Sequence, residues 1–195
     1  MPPRNKFTKT EIIDAAFEIA EKEGFDGITA RAVAEKLGSS VAPIYVNFET
    51  IDTLIAAVIE RIQELSVEIL RRQSGNTLFE NIGRASLAFA SEYPLLFREL
   101  VLKPNPYMRS FDETHEQLVE ALQTDGEMAS LEYKERKRLL LKMQIFQTGL
   151  QVMIANDQLP ANMDRTEAEE LLIETGEELL NSFCKHTKTG KEEEK

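Results

Sequence analysis

The segment LGSSVAPIYVNF at residues 37–48 constrains the fold most, because it places turn-forming residues between two stretches with helical spacing. Thr29 can cap a short helix before it, and Gly38 stands where a left-handed residue would end that helix. If Ser40 caps the next helix, Pro43 falls in its first turn, where a missing N–H costs little. The sequence therefore predicts two short helices joined by a glycine turn.

Helical spacing also dominates the rest of the chain, which has only 9 Gly and 7 Pro among 195 residues. Thr8 and Glu11 form a capping box before an apolar run that Gly24 ends. A long apolar stripe then predicts one helix over about 50–73. Further helices are predicted at about 78–92, 94–102, 107–123, 131–156 and 165–184, the last opened by a capping box of Asp164 and Glu167. We expect an all-α protein of about nine helices.

Composition narrows the classes of function. A formal net charge of −11 argues against a protein that coats nucleic acid by bulk electrostatics, so any DNA binding must be local. A single cysteine, Cys184, cannot close an intrachain disulfide, and with His115 and His186 it gives no metal-ligand spacing. No nucleophile–base or carboxylate–metal constellation is found, so we expect neither an enzyme nor a bound cofactor or metal.

The termini carry little structural signal. Residues 1–10 contain no apolar targeting segment, and the apolar run Leu54–Ile59 is far shorter than the roughly 20 residues that span a bilayer. We therefore expect a cytoplasmic protein with no membrane partner. The tail at 186–195 is polar and charged, and we expect it to be disordered.

The stretch TARAVAEKLGSSVAPIYVNF, residues 29–48, resembles the helix-turn-helix of the TetR family of bacterial one-component transcriptional regulators. The resemblance is strongest over residues 8–60. The residues that carry it are Thr29, Val33, Ala34, Gly38, Ser40, Tyr45, Asn47 and Phe48. It implies a three-helix DNA-binding domain at 1–50 and a larger helical ligand-binding and dimerisation domain at 51–185.

The resemblance also implies a function. The chain is expected to be a repressor of its own or a neighbouring operon that binds a palindromic operator in double-stranded DNA. A small-molecule effector is expected to release it by moving the long helix at 50–73. Two stretches, AFASEYPLLFREL at 88–100 and FQTGLQVMIANDQLP at 146–160, are similar to the family's ligand domain. By analogy, the helices near 131–156 and 165–184 are assigned to a homodimer interface.

The DNA contacts are expected from the start of the second helix and from the third. Polar side chains that can contact phosphates are Thr29, Arg31, Ser39, Ser40, Tyr45 and Asn47. Apolar side chains that can contact thymine methyl groups are Val41, Ala42 and Pro43. For Phe48 we favour packing in the three-helix core over a DNA contact. Arg4 and Lys6 could reach the DNA from an N-terminal arm or belong to a solvated tail.

An effector pocket is expected among the helices of the larger domain. Its candidate lining residues are Phe89, Phe97, Leu100, Met108, Phe111, His115, Met143, Phe146, Gln147 and Leu150. Adaptable methionines beside aromatic side chains suit an apolar ligand, and His115 could orient it. The same stripe is also compatible with an ordinary hydrophobic core. Mid-helix Gly149 and Gly176 suggest that helices approach closely at those positions.

The sequence departs from the family pattern where DNA contacts are expected. Family members often carry Lys near the start of the fourth helix, whereas residues 49–52 read Glu-Thr-Ile-Asp. Asn47 replaces a frequent His, and Pro43 replaces the usual Thr or Ser. Residues 1–50 hold six basic and eight acidic side chains, a balance of −2. An alternative therefore stays open: a helical dimeric interaction protein with weakened or lost DNA binding.

Overall fold

A computed structural model describes the backbone of residues 7–104, 106 and 111–192, with side chains except those of 111–114 and 185–192. Over these residues the chain forms nine α-helices and no strand, which confirms the all-α prediction. In chain order the helices are α1 (Lys9–Glu23), α2 (Ala30–Lys36), α3 (Ala42–Asn47), α4 (Ile51–Arg71), α5 (Leu78–Glu92), α6 (Pro94–Phe97), α7 (Phe111–Ala121), α8 (Tyr133–Ala155) and α9 (Arg165–Glu192). None of the described helices is long and apolar enough to cross a bilayer.

Capping boxes begin α1 and α9, as the sequence predicts. At α1, the Glu11 N–H donates to the Thr8 hydroxyl at 3.2 Å, and the Thr8 N–H donates to the Glu11 carboxylate at 2.7 Å. The bond from the Thr8 backbone, helped by the Thr8 hydroxyl, holds the pKa of Glu11 below its usual value. Asp164 and Glu167 exchange the same pair of bonds at 3.0 and 2.7 Å. Residues three apart therefore fix both helix starts.

The chain divides into two compact units. The first unit comprises Met1–Glu68 and Tyr93–Met108, and the second comprises Ile69–Glu92 and Arg109–Lys195. This division follows packing, whereas the predicted boundary at residue 50 follows the extent of the helix-turn-helix. The functional division at residue 50 stays a prediction.

In the first unit, α1 contacts α2 and α6, and α2 contacts α3. The Phe17 ring meets the Tyr93 ring edge to face, with centroids 6.4 Å apart. The buried core side chains of this unit include Ile12, Ala16, Val33, Ile44, Phe48, Leu54, Val58, Leu96 and Phe97. The first three helices thus share one small apolar core, and α6 covers another side of α1.

After α6 the chain forms a π-helical turn at Arg98–Leu102, where the sequence predicts a continuous α-helix. A π turn shifts the side-chain register relative to an α-helix. Here the turn carries the buried Glu99 against Gly24, where an added Cβ would lie 2.9 Å from the Glu99 carboxylate. Glu99 accepts a hydrogen bond from Lys103 Nζ at 2.5 Å, and this bond raises the pKa of Lys103.

In the second unit, α5, α8 and α9 pack against one another. A Cβ at Gly176 of α9 would lie 3.0 Å from the Phe79 ring, so a close approach within this unit accounts for that glycine. A Cβ at Gly149 would meet no atom within 4 Å among the residues that the structure describes. The core side chains include Leu87, Val119, Leu122, Met128, Leu139, Leu140, Met143, Leu150, Ala168 and Leu172.

Helix ends account for most differences from the prediction. α3 begins one residue late, because Val41 rather than Ser40 occupies the cap position. α9 continues to Glu192, past its predicted end at residue 184, and the disordered tail at 186–195 stays a prediction. A helix already nucleated by packing gains residues at little cost. The predictions for 193–195 and for a helix start at 107 lie outside the described residues.

Asp125 caps α5 from 46 and 47 residues away in sequence. Its two carboxylate oxygens accept hydrogen bonds from the Leu78 and Phe79 N–H groups at 2.9 and 2.8 Å. The Thr77 hydroxyl accepts from the Glu80 N–H at 3.1 Å. Three first-turn donors that have no intrahelical acceptor are thereby satisfied.

We expect Asp125→Ala to lower the free energy of unfolding by about 1 to 2 kcal/mol, because it removes both acceptors. Asp125→Asn keeps one acceptor oxygen and should lose about half as much. Urea unfolding at one fixed protein concentration, followed by circular dichroism, measures both. Asp14→Ala, exposed in the middle of α1, is the control. Equal midpoints for Asp125→Ala and the control would contradict the capping role.

Candidate nucleic-acid interface

Backbone hydrogen bonds around Gly38 close the turn between α2 and α3. Gly38 has a φ of +61°, which confirms the predicted left-handed residue. Its N–H donates to the Glu35 carbonyl at 3.0 Å, and the Ser39 N–H donates to the Ala34 carbonyl at 2.9 Å. This pair of bonds is a Schellman motif, which satisfies the last carbonyls of α2 and fixes the direction in which the chain leaves.

The start of α2 is equally well defined. The Thr29 hydroxyl accepts a hydrogen bond from the Ala32 N–H at 3.1 Å, which confirms its predicted cap. The side chain of Arg31 is exposed. Hydrogen bonds between residues three to five positions apart therefore fix both ends of α2.

α3 buries one side and exposes the other. Ile44 and Phe48, four residues apart, are 0% and 4% exposed, which confirms that both pack in the core. Their burial sets the rotation of the helix about its axis. We name the outward side the reading face; it consists of Val41 (42% exposed), Tyr45 (53%), Val46 (67%) and the exposed Ala42.

The remaining predicted contact residues differ in how free their polar groups are. The Ser39 hydroxyl donates to the Ser40 carbonyl at 2.9 Å, while the Ser40 side chain is exposed. Asn47 is half-buried, and its side-chain N–H donates to the Pro43 carbonyl at 2.8 Å. Pro43 itself is half-buried. Among the polar candidates, Arg31, Ser40 and Tyr45 are exposed, and Thr29 is exposed as well but uses its hydroxyl to cap α2.

Val46 is a residue that the sequence prediction missed. It is the most exposed side chain of the reading face at 67%. A signal for it was present, because Val46 follows Ala42 by four residues and residues four apart share a helix face. With Ile44 and Phe48 on the buried side, the helical spacing already directs Val46 outward, although Val46 is not among the predicted contacts.

Few positive charges surround the reading face. Lys36 Nζ lies 2.5 Å from the Glu18 carboxylate, and this bond lowers the pKa of Glu18. Lys9 Nζ lies 5.2 Å from the centroid of the Phe48 ring. Thr50 and Thr53 cap α4 by exchanging bonds at 3.1 and 3.2 Å. The start of α4 thus supplies hydroxyl groups rather than a cation. Arg4 and Lys6 lie outside the described residues.

The predicted pocket residues of the second unit lie mostly in its core. Met143 and Leu150 belong to the hydrophobic core, and Phe146 packs against it. His115 is 5% exposed, and one ring nitrogen lies 3.2 Å from a backbone carbonyl of α8. Phe89 is half-buried on α5. These positions are compatible with a pocket wall and with a plain core alike.

The other pocket candidates are more scattered. Phe97 is fully buried and Leu100 half-buried, both in the first unit, and Gln147 is half-buried on α8. Met108 and the side chain of Phe111 fall outside the described residues. Within the described ranges, no three His, Cys, Asp or Glu side chains are grouped as a metal site would require.

Comparison with known proteins identifies the N-terminal part of the chain. Residues 12–58 match the model for bacterial regulatory proteins of the tetR family. One curated relative is an uncharacterized HTH-type transcriptional regulator, YobS, from Bacillus subtilis; it is 24% identical over 107 residues, which cover 53% of this chain and 56% of the relative. Another is the tetracycline repressor protein class D from Escherichia coli; it is 30% identical over 98 residues, which cover 50% of this chain and 41% of the relative. Residues 12–58 of the chain therefore carry the N-terminal TetR-family region.

The TetR-family match includes α2, the glycine turn and α3, so the reading face lies inside it. A TetR-like transcriptional regulator from Rhodococcus sp. RHA1 has the same fold over 88% of this chain and 92% of its own, with a TM-score of 0.62 and 19% identity. In the two curated matches above, the chain spans about half of the relative's length.

We expect Gly38→Ala to destabilise the protein by about 1 to 2 kcal/mol, because an L-residue other than glycine is strained at positive φ. No atom of the described residues lies within 4 Å of the added Cβ, so the cost expected is that of the backbone alone. Gly38→Asn should lose less, since Asn tolerates the left-handed region. Urea unfolding of the three proteins checks the order, and a Gly38→Ala protein as stable as the parent would refute it.

Proposed function

We propose that the protein is a transcriptional repressor that acts in the cytoplasm on its own or a neighbouring operon. It binds a palindromic operator as a homodimer, and a small-molecule effector releases it. The observation that carries this proposal is the exposed reading face of α3, held beside α2 by the turn at Gly38. Helix-turn-helix proteins insert such a helix into the major groove. The name of the tetracycline repressor relative supports repression over activation.

The contacts are divided between backbone and bases. Arg31, Ser40 and the Tyr45 hydroxyl are placed to contact phosphates, which fixes the register of α3 on the duplex. Val41 and Ala42 face the base edges, and Pro43 borders them. Thr29, Ser39 and Asn47 act mainly within the protein, because each already has an internal hydrogen bond.

A homodimer is required because one half-site contacted through so few cations binds weakly. An isologous dimer places two α3 helices in successive major grooves, roughly 34 Å apart. The helices α8 and α9 support this role, because they leave large apolar side chains uncovered in the protomer. These are Leu141 (42% exposed), Ile145 (68%) and Leu171 (36%). Gly149, with open space around its Cβ position, lies four residues after Ile145.

Release is proposed to act through α4. This helix is continuous from Ile51 to Arg71, and the residues up to Glu68 belong to the first unit while those from Ile69 belong to the second. An effector bound in the second unit can therefore favour a conformer in which the two α3 helices no longer match successive grooves. An effector that binds without changing operator affinity would contradict this mechanism.

The decisive experiment is a binding titration against the DNA upstream of the protein's own gene. We expect saturable binding over competitor DNA, with a shallow dependence on salt because few phosphates are contacted. Tyr45→Ala should weaken binding about 30-fold, since one hydrogen bond per half-site is worth about 1 kcal/mol. Ala42→Glu should weaken it at least as much, by placing a carboxylate against the groove.

Ala161→Glu, in an exposed turn before α9, adds the same charge elsewhere and should bind like the parent. If the upstream DNA is not bound, selection from random duplexes tests other operators. A folded dimer that selects no site at low salt would favour the alternative of an interaction protein without DNA affinity. The pairing of Lys36 with Glu18 and the acidic residues Glu49 and Asp52 near the start of α4 motivate that alternative.

The dimer proposal makes a separate prediction for α8. Ile145→Asp should weaken dimerisation on the order of 100-fold or more, because both copies lose an apolar contact and gain a desolvated carboxylate. Val67→Asp changes a valine that is 45% exposed on α4 and serves as the control. Sedimentation velocity over a concentration series measures both. Equal dissociation constants for the two variants would contradict an interface on α8.

Gly149→Ala sharpens the test, because its two effects have opposite signs. Alanine favours a helix over glycine by about 1 kcal/mol, and no atom in the described part of the protomer obstructs its Cβ. The isolated protomer should therefore become more stable. If a partner helix approaches at Gly149, the same substitution should weaken the dimer, and an unchanged dimerisation constant would place the contact elsewhere.

A further inference from the structure

We infer that α3 reads its half-site mainly through thymine methyl groups, and not through hydrogen bonds to guanine or adenine. This inference rests on the proposed function and specifies the kind of DNA that the reading face recognises. It starts from the composition of that face. Val41, Ala42 and Val46 present only methyl groups, and Val46 is its most exposed member.

The sequence of α3 is Ala-Pro-Ile-Tyr-Val-Asn, which contains no Arg, Lys, Gln or Glu. Those side chains make the bidentate or charge-assisted contacts that identify guanine, adenine and cytosine in the major groove. Tyr45 carries a single hydroxyl at the end of a rigid ring, which suits a phosphate better than the two-point recognition of a base. Within α3, direct readout by hydrogen bonding therefore depends on one side chain, Asn47.

Asn47 is already engaged within α3. Its side-chain N–H donates to the Pro43 carbonyl at 2.8 Å, one helical turn back, and the residue is half-buried. Recognition of adenine by Asn needs both the amide N–H and the amide oxygen directed at the base edge. Asn47 would have to break the bond to Pro43 and rotate outward to do so. The hydrogen bond to Pro43 therefore indicates that Asn47 stabilises α3 rather than contacting a base.

Thymine is the base that presents a methyl group in the major groove, and apolar side chains recognise it by contact. Ala42 and Val46 lie one helical turn apart on one side of α3, with Cβ atoms separated by about 5 to 6 Å. Successive bases on one strand are about 3.4 Å apart along the axis. The pair therefore suits thymines separated by one or two base pairs in each half-site.

The test begins with an operator obtained by selection from random duplexes with the full-length protein. Each thymidine is then replaced by 2′-deoxyuridine, which removes the methyl group and leaves base pairing unchanged. We expect affinity to fall about fourfold for each contacted methyl group. Symmetric replacement in both half-sites should therefore cost about 16-fold. Thymidines outside the half-sites should be insensitive.

A double-mutant cycle assigns the contact to Val46. Val46→Ala should weaken binding to the thymidine operator, yet have little further effect once the contacted thymidine is deoxyuridine. Val67→Ala, the same change at an exposed valine of α4, should bind both operators like the parent. Asn47→Ala should leave the selected sequence unchanged, even where it lowers the stability of the protein.

The outcomes separate this inference from the proposed function. If no site is selected, the proposed function itself fails. If a site is selected and bound tightly but every deoxyuridine operator binds equally well, methyl readout is overturned. Additive losses from Val46→Ala and the methyl deletion would overturn the assignment of the contact to Val46, because they show no contact between the two. A changed base preference in Asn47→Ala would assign the reading to Asn47.

Discussion

The orientation of the reading face depends on the backbone turn at Gly38. At Gly38 the backbone takes a left-handed conformation, which lets the N–H groups of Gly38 and Ser39 bond back to the last carbonyls of α2. A residue with a Cβ would resist this conformation, and a looser turn would leave those carbonyls without partners. The turn therefore sets the direction of α3 relative to α2, and with it the position of the reading face.

The stability of α3 depends on tertiary packing as well as on the turn. A six-residue helix is too short to be stable alone, so α3 persists because Ile44 and Phe48 are buried in the core of the first unit. Those two residues lie four positions apart and fix the rotation of the helix. Ala42, Tyr45 and Val46 are then directed outward as a geometric consequence. The burial of Ile44 and Phe48 thus determines which side chains of α3 are exposed for contact with DNA.

The sequence predicts a structural feature well where the residues that form it are close together in the chain. The caps at Thr8, Thr29 and Gly38 involve partners within a few residues, so pattern alone predicts them. The cap of α5 by Asp125 joins residues more than 40 positions apart, and no sequence pattern identifies it. The bond from Asn47 to Pro43 is local, yet it was missed because Asn47 reads equally well as a DNA contact. Val46 was missed for a related reason, since its role depends on which side of α3 is buried.

An acidic chain with an apolar reading face is a consistent combination rather than a contradiction. Phosphate contacts through Lys and Arg strengthen binding to every sequence, whereas base contacts strengthen binding to one. With a net charge of −11 and few cations described near α3, we expect the affinity for arbitrary DNA to be low. Because a regulator acts on the ratio of specific to non-specific affinity, modest methyl contacts doubled by a dimer can suffice where the background is weak. If the protein binds DNA as proposed, the missing lysine at the start of α4 would lower non-specific and specific affinity together, and specificity would depend on the shape of the reading face.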